Sequence, residues 1–392
     1  MKEGGPSLLF PSPGADEARD PPGGKSFTGV FPYQAIANMV SRKELTAPVP
    51  IETTQIQPAS VDLRLGRWAY PVRASFLPGR ASTVMEKVKG QMDGEPPLDL
   101  SNGGAVLQKG SVYVIELLEH VKLPAGVVGL ANPKSSTGRL DVLTRLITDR
   151  CTSFDQIEPG YEGALYVEVA PQTFNIIVRR GSRLNQLRFQ RGAPLVTGGN
   201  LQALYDQGQL VRAAGPKLPL QENLVPVTVD LTGAGHGSII GYRAKKHTRK
   251  IDLDRVGEYE VDDFWEKIIY RDGTQILDPD EFYVLATREE VGVPPTLAAE
   301  MVPYYTRSGE YRVHYAGFFD PGFGWKERAE GSRAVLEVRS HEVPFQLEHG
   351  QTVGWLRYVK MAGEPSRVYG QGMASNYQGQ GLALAKQFRA LR

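Results

Sequence analysis

The chain has 392 residues, enough for two domains, and it carries 45 Lys and Arg against 44 Asp and Glu. A net charge of +1 provides no overall field to attract nucleic acid or an anionic membrane, so neither is expected as a partner. The single cysteine, Cys151, excludes a disulfide framework and favours a cytoplasmic protein. No apolar run is long enough to span a membrane.

The first elements along the chain are a tail, a helix and then strands. Residues 1–27 lack a signal-peptide core and are predicted to form a disordered tail. A short amphipathic helix is predicted over 32–43, and alternating apolar and polar residues predict strands over 111–118 and 164–169. The 43 glycines and 28 prolines suit many short strands joined by turns. We therefore expect a mainly β protein.

An internal repeat is the most informative feature. LQKGSVYVIELLEHVKLPAG (107–126) matches LDPDEFYVLATREEVGVPPT (277–296) at an offset of 170, and residues 159–189 match 321–358 at an offset of 169. A period this long, with several strands inside it, predicts two duplicated domains rather than a solenoid.

The repeat divides the chain into a first domain over 28–200, a linker over 201–222, a second domain over 223–368 and a C-terminal arm over 369–392. An insertion over 235–275 in the second domain contains the basic stretch RAKKHTRK (243–250) and a helix-like segment over 261–269. The basic stretch is interpreted as a solvated surface, with phosphate or nucleic-acid contact as the alternative.

Four motifs in order resemble those of the dCTP deaminase and dUTPase family, in its longer tandem form. They are SVDLRLG (60–66), NPKSSTGRL (132–140), a Pro-Gly turn followed by a strand in both copies (157–169 and 316–338), and YGQGMASNYQGQG (369–381). The resemblance implies two dUTPase-like β-barrels of jelly-roll type, assembled as a homotrimer. It also implies deamination of dCTP to dUTP and ammonia, with Mg2+ bound through the triphosphate of the substrate. A zinc-dependent base deaminase is excluded, because one cysteine cannot supply its ligand cluster.

The phosphates of such a substrate require hydroxyl donors and a guanidinium or ammonium group close together. The first copy offers Lys134, Ser135, Ser136 and Arg139, for which an ordinary polar turn is the alternative. The corresponding segment of the second copy retains Arg307, Ser308 and Arg312.

Deamination without zinc requires a carboxylate that activates water and moves protons, and the resemblance implies Glu168 in the first copy or Glu337 in the second. The alternative for each glutamate is an exposed residue on a strand, and the apolar residues on either side make this alternative weaker.

The resemblance also implies a turn that binds the base and sugar, and a lid. The turn residues are Asp320, Gly322 and Phe323, with Gln186 on the first copy, where the second copy has Trp355. The C-terminal arm supplies Tyr369, Tyr377 and Gln380, and its glycines would permit hinging; a frayed tail is the alternative.

Two mechanisms remain open at this point. In one, the first barrel works alone through Glu168, covered by the arm; in the other, the first copy holds the phosphates and the second supplies Glu337. The first is slightly favoured, because stacked rings of identical barrels close most simply.

Two other functions compete. A dUTP diphosphatase, or an enzyme that performs both steps, would use an Asp of the turn near the α-phosphate, and Glu158 and Asp320 occupy the two turns. The usual Asp-x-x-Tyr-x-Gly-Glu form of that turn is absent, which favours deamination. A nucleotide-binding regulator without catalysis is the third reading, suggested by the unequal divergence of the copies.

Overall fold

The first repeat folds into a curved antiparallel sheet that nearly closes on itself. The computed structural model describes residues 28–92, 94–212, 217–233, 237–302, 311–314 (backbone only), 317–325, 332–340, 342–370 and 379–389. Its strands in this repeat are β1 (Gly29–Val30), β2 (Leu45–Thr46), β3 (Val61–Val72), β4 (Leu98–Asp99), β5 (Ala105–Leu107), β6 (Val112–Lys122), β7 (Val127–Pro133), β8 (Val142–Thr148), β9 (Gln156–Ile157), β10 (Glu162–Pro171), β11 (Ile176–Val178) and β12 (Arg183–Arg191). The main path of the sheet runs β8-β10-β6-β3-β12-β7-β9. Three helices accompany it: α1 (Tyr33–Ser41), α2 (Val84–Gln91) and α3 (Ser135–Gly138).

The second repeat builds two smaller sheets and one two-stranded sheet around a core of its own. Its elements are α4 (Gly198–Asp206), β13 (Val211–Arg212), β14 (Val225–Thr228), β15 (Ile239–Ala244), β16 (Ile251–Asp252), α5 (Val261–Phe264), β17 (Trp265–Ile269), β18 (Thr274–Leu277), β19 (Tyr283–Val291), β20 (Leu297–Val302), β21 (Tyr311–His314), β22 (Phe318–Phe319), β23 (Ser332–Ser340), β24 (Phe345–Glu348) and β25 (Thr352–Lys360). One sheet runs β17-β15-β19-β23-β21 and another β14-β25-β20-β22. The mainly β fold with barrel-like sheets is confirmed.

The two repeats share the same internal hydrogen bonds, which confirms the duplication. Tyr113 and Tyr283 each accept a hydrogen bond from the backbone N–H five residues earlier, at 3.0 and 2.9 Å. Glu119 and Glu289 are both buried, and each accepts a backbone N–H from a neighbouring strand, at 2.8 Å from Arg64 of β3 and 2.7 Å from Thr228 of β14. A buried carboxylate satisfied in this way fixes the same strand in both copies.

The local elements expected from the sequence occur where the pattern is regular. Helix α1 lies within the predicted 32–43 and buries Ile36 and Met39. Strands β6 and β10 contain the two predicted strands, each somewhat longer than expected.

Two stretches differ from expectation. The helix-like segment over 261–269 is helical only in α5 and continues as β17, because its backbone pairs with β15 and buries Trp265. Tertiary pairing overrides the local helical pattern there. The stretch expected to be a linker, 201–222, begins within α4, which buries Leu201 and Tyr205 in the core of the second repeat.

The insertion packs against the first repeat, although it belongs to the second. Strand β16 pairs in parallel with β11, and the side chains of Phe264 and Trp265 join the core of the first repeat. The C-terminal Phe388 enters the same core. Among the residues that the structure describes, no helix is long and apolar enough to cross a membrane.

Candidate active site

A cavity of about 270 Å3 opens between the two repeats, and both contribute to its walls. The residues predicted for the site that line this cavity are Lys134, Ser135, Ser136, Arg139, Gln186, Asp320, Phe323, Glu337, Tyr369 and Gln380. The first five belong to the first repeat, the next three to the second repeat and the last two to the C-terminal arm, so one chain brings these sets together.

The segment predicted to bind phosphate lies at the end of β7 and forms the short helix α3. Ser136 and Arg139 are buried, and the Lys134 ammonium is paired with the buried carboxylate of Asp62. The backbone amide of Lys134 donates to Leu184 on β12 at 2.9 Å, which fixes the segment against the sheet. Hydroxyl and cationic groups are thus held at one wall of the cavity.

Glu337 lies on β23 with its carboxyl group buried among protein atoms. Burial raises its pKa to about 8, and the nearby guanidinium of Arg139 opposes this shift. The Nε atom of Arg139 lies 3.8 Å from Oε1 of Glu337. A carboxyl group in this state exchanges a proton near neutral pH, as general acid and base catalysis requires.

The Pro-Gly turn places Asp320 and Phe323 on the same cavity. Asp320 is buried, and its Oδ1 accepts from the guanidinium of Arg188, a residue of β12 that is itself buried, at 3.2 Å. Gly322 has φ +93°, and a Cβ atom there would lie 2.9 Å from the backbone nitrogen of Tyr369. Only glycine tolerates this turn and this close approach.

Tyr369 and Gln380 of the C-terminal arm contact the second repeat. The ring of Tyr369 lies 5.5 Å from that of Phe323 between centroids. Gln380 donates through Nε2 to the Arg333 carbonyl of β23 at 3.1 Å, and its Oε1 accepts from Arg139, also at 3.1 Å. Through Gln380, the arm therefore contacts Arg139, whose guanidinium group also lies close to Glu337.

Glu168, the counterpart of Glu337, does not line this cavity. It is fully buried on β10, and its Oε1 accepts two hydrogen bonds from Arg145 on the neighbouring β8, at 2.6 and 3.0 Å. In the second repeat the backbone partner of Glu337 at the corresponding register is His314. The two glutamates thus occupy equivalent strands with different residues opposite them.

Of the lining residues that were not expected from the sequence, three are charged: Asp62, Arg183 and Lys386. Asp62 lies inside the SVDLRLG motif, so the sequence did contain an indication that it belongs to the site. Arg183 and Lys386 stand outside the motifs, and only the fold brings them to the site.

Several predicted residues lie outside the described part of the chain. These are Arg307, Ser308, Tyr377 and the side chain of Arg312. Among the described residues, no group of three or more His, Cys, Asp or Glu side chains is arranged to hold a metal ion.

The basic stretch 243–250 is largely engaged with neighbouring acids. Arg243 pairs with Glu266 at 2.5 Å, Lys246 with Glu281 at 2.6 Å, and Arg249 pairs with Asp263 at 3.0 Å. Such exposed pairs are typical of a solvated surface.

Comparison with known proteins gives matches along nearly the whole chain. The N-terminal domain of 2′-deoxycytidine 5′-triphosphate deaminase matches residues 27–193, and the C-terminal domain of that protein matches 197–388. A dCTP deaminase of Haloarcula marismortui is 28% identical over 143 residues, covering 36% of this chain and 69% of the relative. A protein of Corynebacterium glutamicum named dCTP deaminase, dUMP-forming, is 30% identical over 166 residues, covering 41% of this chain and 82% of the relative. The crystal structure of 2′-deoxycytidine 5′-triphosphate deaminase from Agrobacterium tumefaciens is 48% identical, covers 87% of this chain and all of its own, and superposes with a TM-score of 0.80.

Proposed function

From the premise that this chain belongs to the dCTP deaminase family of C–N bond hydrolases, we propose that it deaminates dCTP in the cavity between its two repeats. The observation that carries this proposal is the presence of Glu337 and the segment 134–139 on one cavity, from opposite repeats. Of the two mechanisms, this placement supports the shared site. Two observations count against the first mechanism: Glu168 does not line the cavity, and its carboxylate is engaged in an ion pair with Arg145.

The triphosphate would lie along the wall formed by Lys134, Ser135 and Ser136, and its Mg2+ enters as part of the substrate. Phosphate oxygens would compete with Asp62 for the Lys134 ammonium, while the serine hydroxyls donate to them. Arg139, between this wall and Glu337, would link the position of the phosphates to that of the reacting base.

Glu337 would act as both base and acid. Its carboxylate takes a proton from a water molecule while the water oxygen forms a bond to C4 of cytosine, and the proton passes to N3. A second transfer, from the attached hydroxyl group through Glu337 to the exocyclic amine, makes ammonia the leaving group. The C4–N bond breaks, the C4 carbonyl forms, and dCTP plus water gives dUTP plus ammonia.

The arm would complete the site by excluding water. Tyr369 and Gln380 contact the turn and Arg139, which places the arm beside the cavity where the resemblance implies that it covers the base. Exclusion of water keeps the pKa of Glu337 high and prevents loss of the proton to solvent.

A second candidate is an enzyme that also hydrolyses dUTP to dUMP and pyrophosphate, and the name dUMP-forming of several relatives favours it. Asp320 would have to activate water for that step. Its Oδ1 already accepts a hydrogen bond from the buried Arg188, and the Asp-x-x-Tyr-x-Gly-Glu form of the turn is absent, so we propose that dUTP is released.

One chain carries both walls of the proposed site, so a homotrimer is not required to assemble it. A homotrimer nevertheless stays a prediction from the resemblance.

The experiment is a coupled assay of ammonia and pyrophosphate released from dCTP and Mg2+, with a zinc chelator present. Ammonia without pyrophosphate supports the deaminase, and equal amounts of both would support the bifunctional enzyme. Nucleotide binding without either product would overturn the proposal in favour of a non-catalytic regulator.

A further inference from the structure

A second cavity of about 260 Å3 adjoins the active-site cavity. The two cavities share Ser136, Arg183 and Lys386 on their walls. Ser136 belongs to the segment proposed to bind phosphate. The shared wall therefore lies where the phosphate chain of a nucleotide would leave the first cavity.

Lys386 is the unusual group on this wall. It is partly buried, and among the described residues its ammonium group has no ion-pair or hydrogen-bond partner. Burial lowers its pKa and the like charge of Lys134 lowers it further, while the carboxylates of Asp62 and Asp254 oppose this shift without forming an ion pair with it. A half-buried ammonium group without a partner, near two other cations, is stabilised by an anion that reaches all of them.

Arg183 lies on the same wall, and its ion pairs are weak enough for a phosphate group to replace them. Its guanidinium lies 2.9 Å from the carboxylate of Glu52, which is largely exposed, and 4.0 Å from that of Asp62. An exposed pair of this kind contributes little, so a phosphate group can displace it.

The insertion holds Lys386 in place. The backbone amides of Gly257 and Glu258 donate to the carbonyls of Lys386 and Gln387, both at 3.0 Å. Two residues further on, the ring of Phe388 packs 5.4 Å from that of Phe264 in the insertion. The insertion therefore anchors the chain end that presents the ammonium group, which gives this segment a purpose beyond its basic surface.

We propose that Lys386, together with Arg183, binds the terminal phosphate of the nucleotide and makes the enzyme select triphosphates over monophosphates. Nucleotide binding in the neighbouring cavity is part of the proposed function, on which this inference rests. A monophosphate would reach the segment 134–139 only, whereas a triphosphate extends to the wall shared by both cavities. Selectivity then comes from contacts remote from the reacting base.

The test measures binding of dCTP and dCMP by calorimetry in the Glu337→Gln background, so that the ligand is not consumed. Adding Lys386→Gln should weaken dCTP binding by about 10- to 100-fold, the range for loss of a charge-assisted hydrogen bond, and change dCMP binding by less than about twofold. Lys360→Gln, an exposed lysine at the end of β25, is the matched control and should change neither.

Lys386→Arg keeps the charge and should retain most of the preference for dCTP. Equal weakening of dCTP and dCMP by Lys386→Gln, or no weakening of either, would overturn the inference, as would loss of the preference in Lys386→Arg. Failure of the proposed function has a different signature: the Glu337→Gln parent would still release ammonia, or would bind neither nucleotide.

Discussion

The raised pKa of Glu337 gives a prediction for both activity and stability as pH changes. The folded protein holds a proton on this carboxyl group up to a pKa of about 8, whereas an unfolded chain releases it near the ordinary glutamate pKa of 4.5. The reactive form in the proposed mechanism is the carboxylate. Its population rises from about 1% at pH 6 to about 50% at pH 8, so kcat/KM for dCTP should rise about 50-fold over this range and then level off.

Stability should move in the opposite direction. Because the folded pKa of Glu337 is raised, its contribution is most favourable at low pH and is lost as pH rises from about 4.5 to about 8. Between pH 6 and 8 the loss amounts to about 2 kcal/mol. Glu337→Gln has no carboxyl group at this position and should not show this loss. The free energy of unfolding of the variant minus that of the parent should therefore rise by about 2 kcal/mol from pH 6 to pH 8.

The assays are initial rates of ammonia release at low dCTP concentration and urea unfolding, both at pH 6, 7 and 8. Glu337→Asp is the control that keeps a carboxyl group. A flat kcat/KM from pH 6 to 8, or a stability difference between Glu337→Gln and the parent that does not change with pH, would refute the assignment of a proton to Glu337.

Two further predictions concern buried charges. Arg188→Met leaves the carboxylate of Asp320 buried without its guanidinium, so the free energy of unfolding in urea should fall by about 3–5 kcal/mol; a loss below about 1 kcal/mol would contradict this, and Arg188→Met with Asp320→Asn should recover part of it. Burial raises the pKa of Asp155 to about 7 from 3.8, so its contribution to stability falls as pH rises between about 4 and 7. The free energy of unfolding of Asp155→Asn minus that of the parent should therefore rise by about 2 kcal/mol from pH 5.5 to pH 8. Asn also suits the positive φ of 61° at this position, so the variant should keep the backbone conformation. An unchanged difference between those two pH values would show that Asp155 is ionised throughout.

The sequence predicts those features that depend on local pattern. Helix α1 and strands β6 and β10 follow from the spacing of their apolar residues, and the repeat follows from matched residues such as Glu119 and Glu289. In the structure both carboxylates are buried and each accepts a backbone N–H from a neighbouring strand, Arg64 of β3 for Glu119 and Thr228 of β14 for Glu289.

The choice between Glu168 and Glu337 could not be predicted in the same way. Both have apolar neighbours on a buried strand, and ring symmetry slightly favoured the first. The difference lies across the sheet, where Arg145 neutralises Glu168, and across the repeats, where Arg139 faces Glu337. Neither contact can be predicted from the residues next to Glu168 or Glu337 in the sequence.

The insertion shows the same limit for secondary structure. The spacing in VDDFWEKII is that of a helix, but only its first turn is helical, because Trp265 is buried and the backbone that follows pairs with β15. Lys386 was missed because its surroundings are contributed by the first repeat, the insertion and the chain end together.

The central claim is that Glu337, and not Glu168, carries the chemistry in a site shared by the two repeats. The most direct test is ammonia release from dCTP by Glu337→Gln and Glu168→Gln, each normalised to folded protein. Glu337→Gln should lose activity by at least about 1000-fold, within the range expected for removal of a group that acts as both base and acid. Glu168→Gln should keep activity within about tenfold of the parent, whereas loss of activity in Glu168→Gln with retention in Glu337→Gln would contradict the shared site.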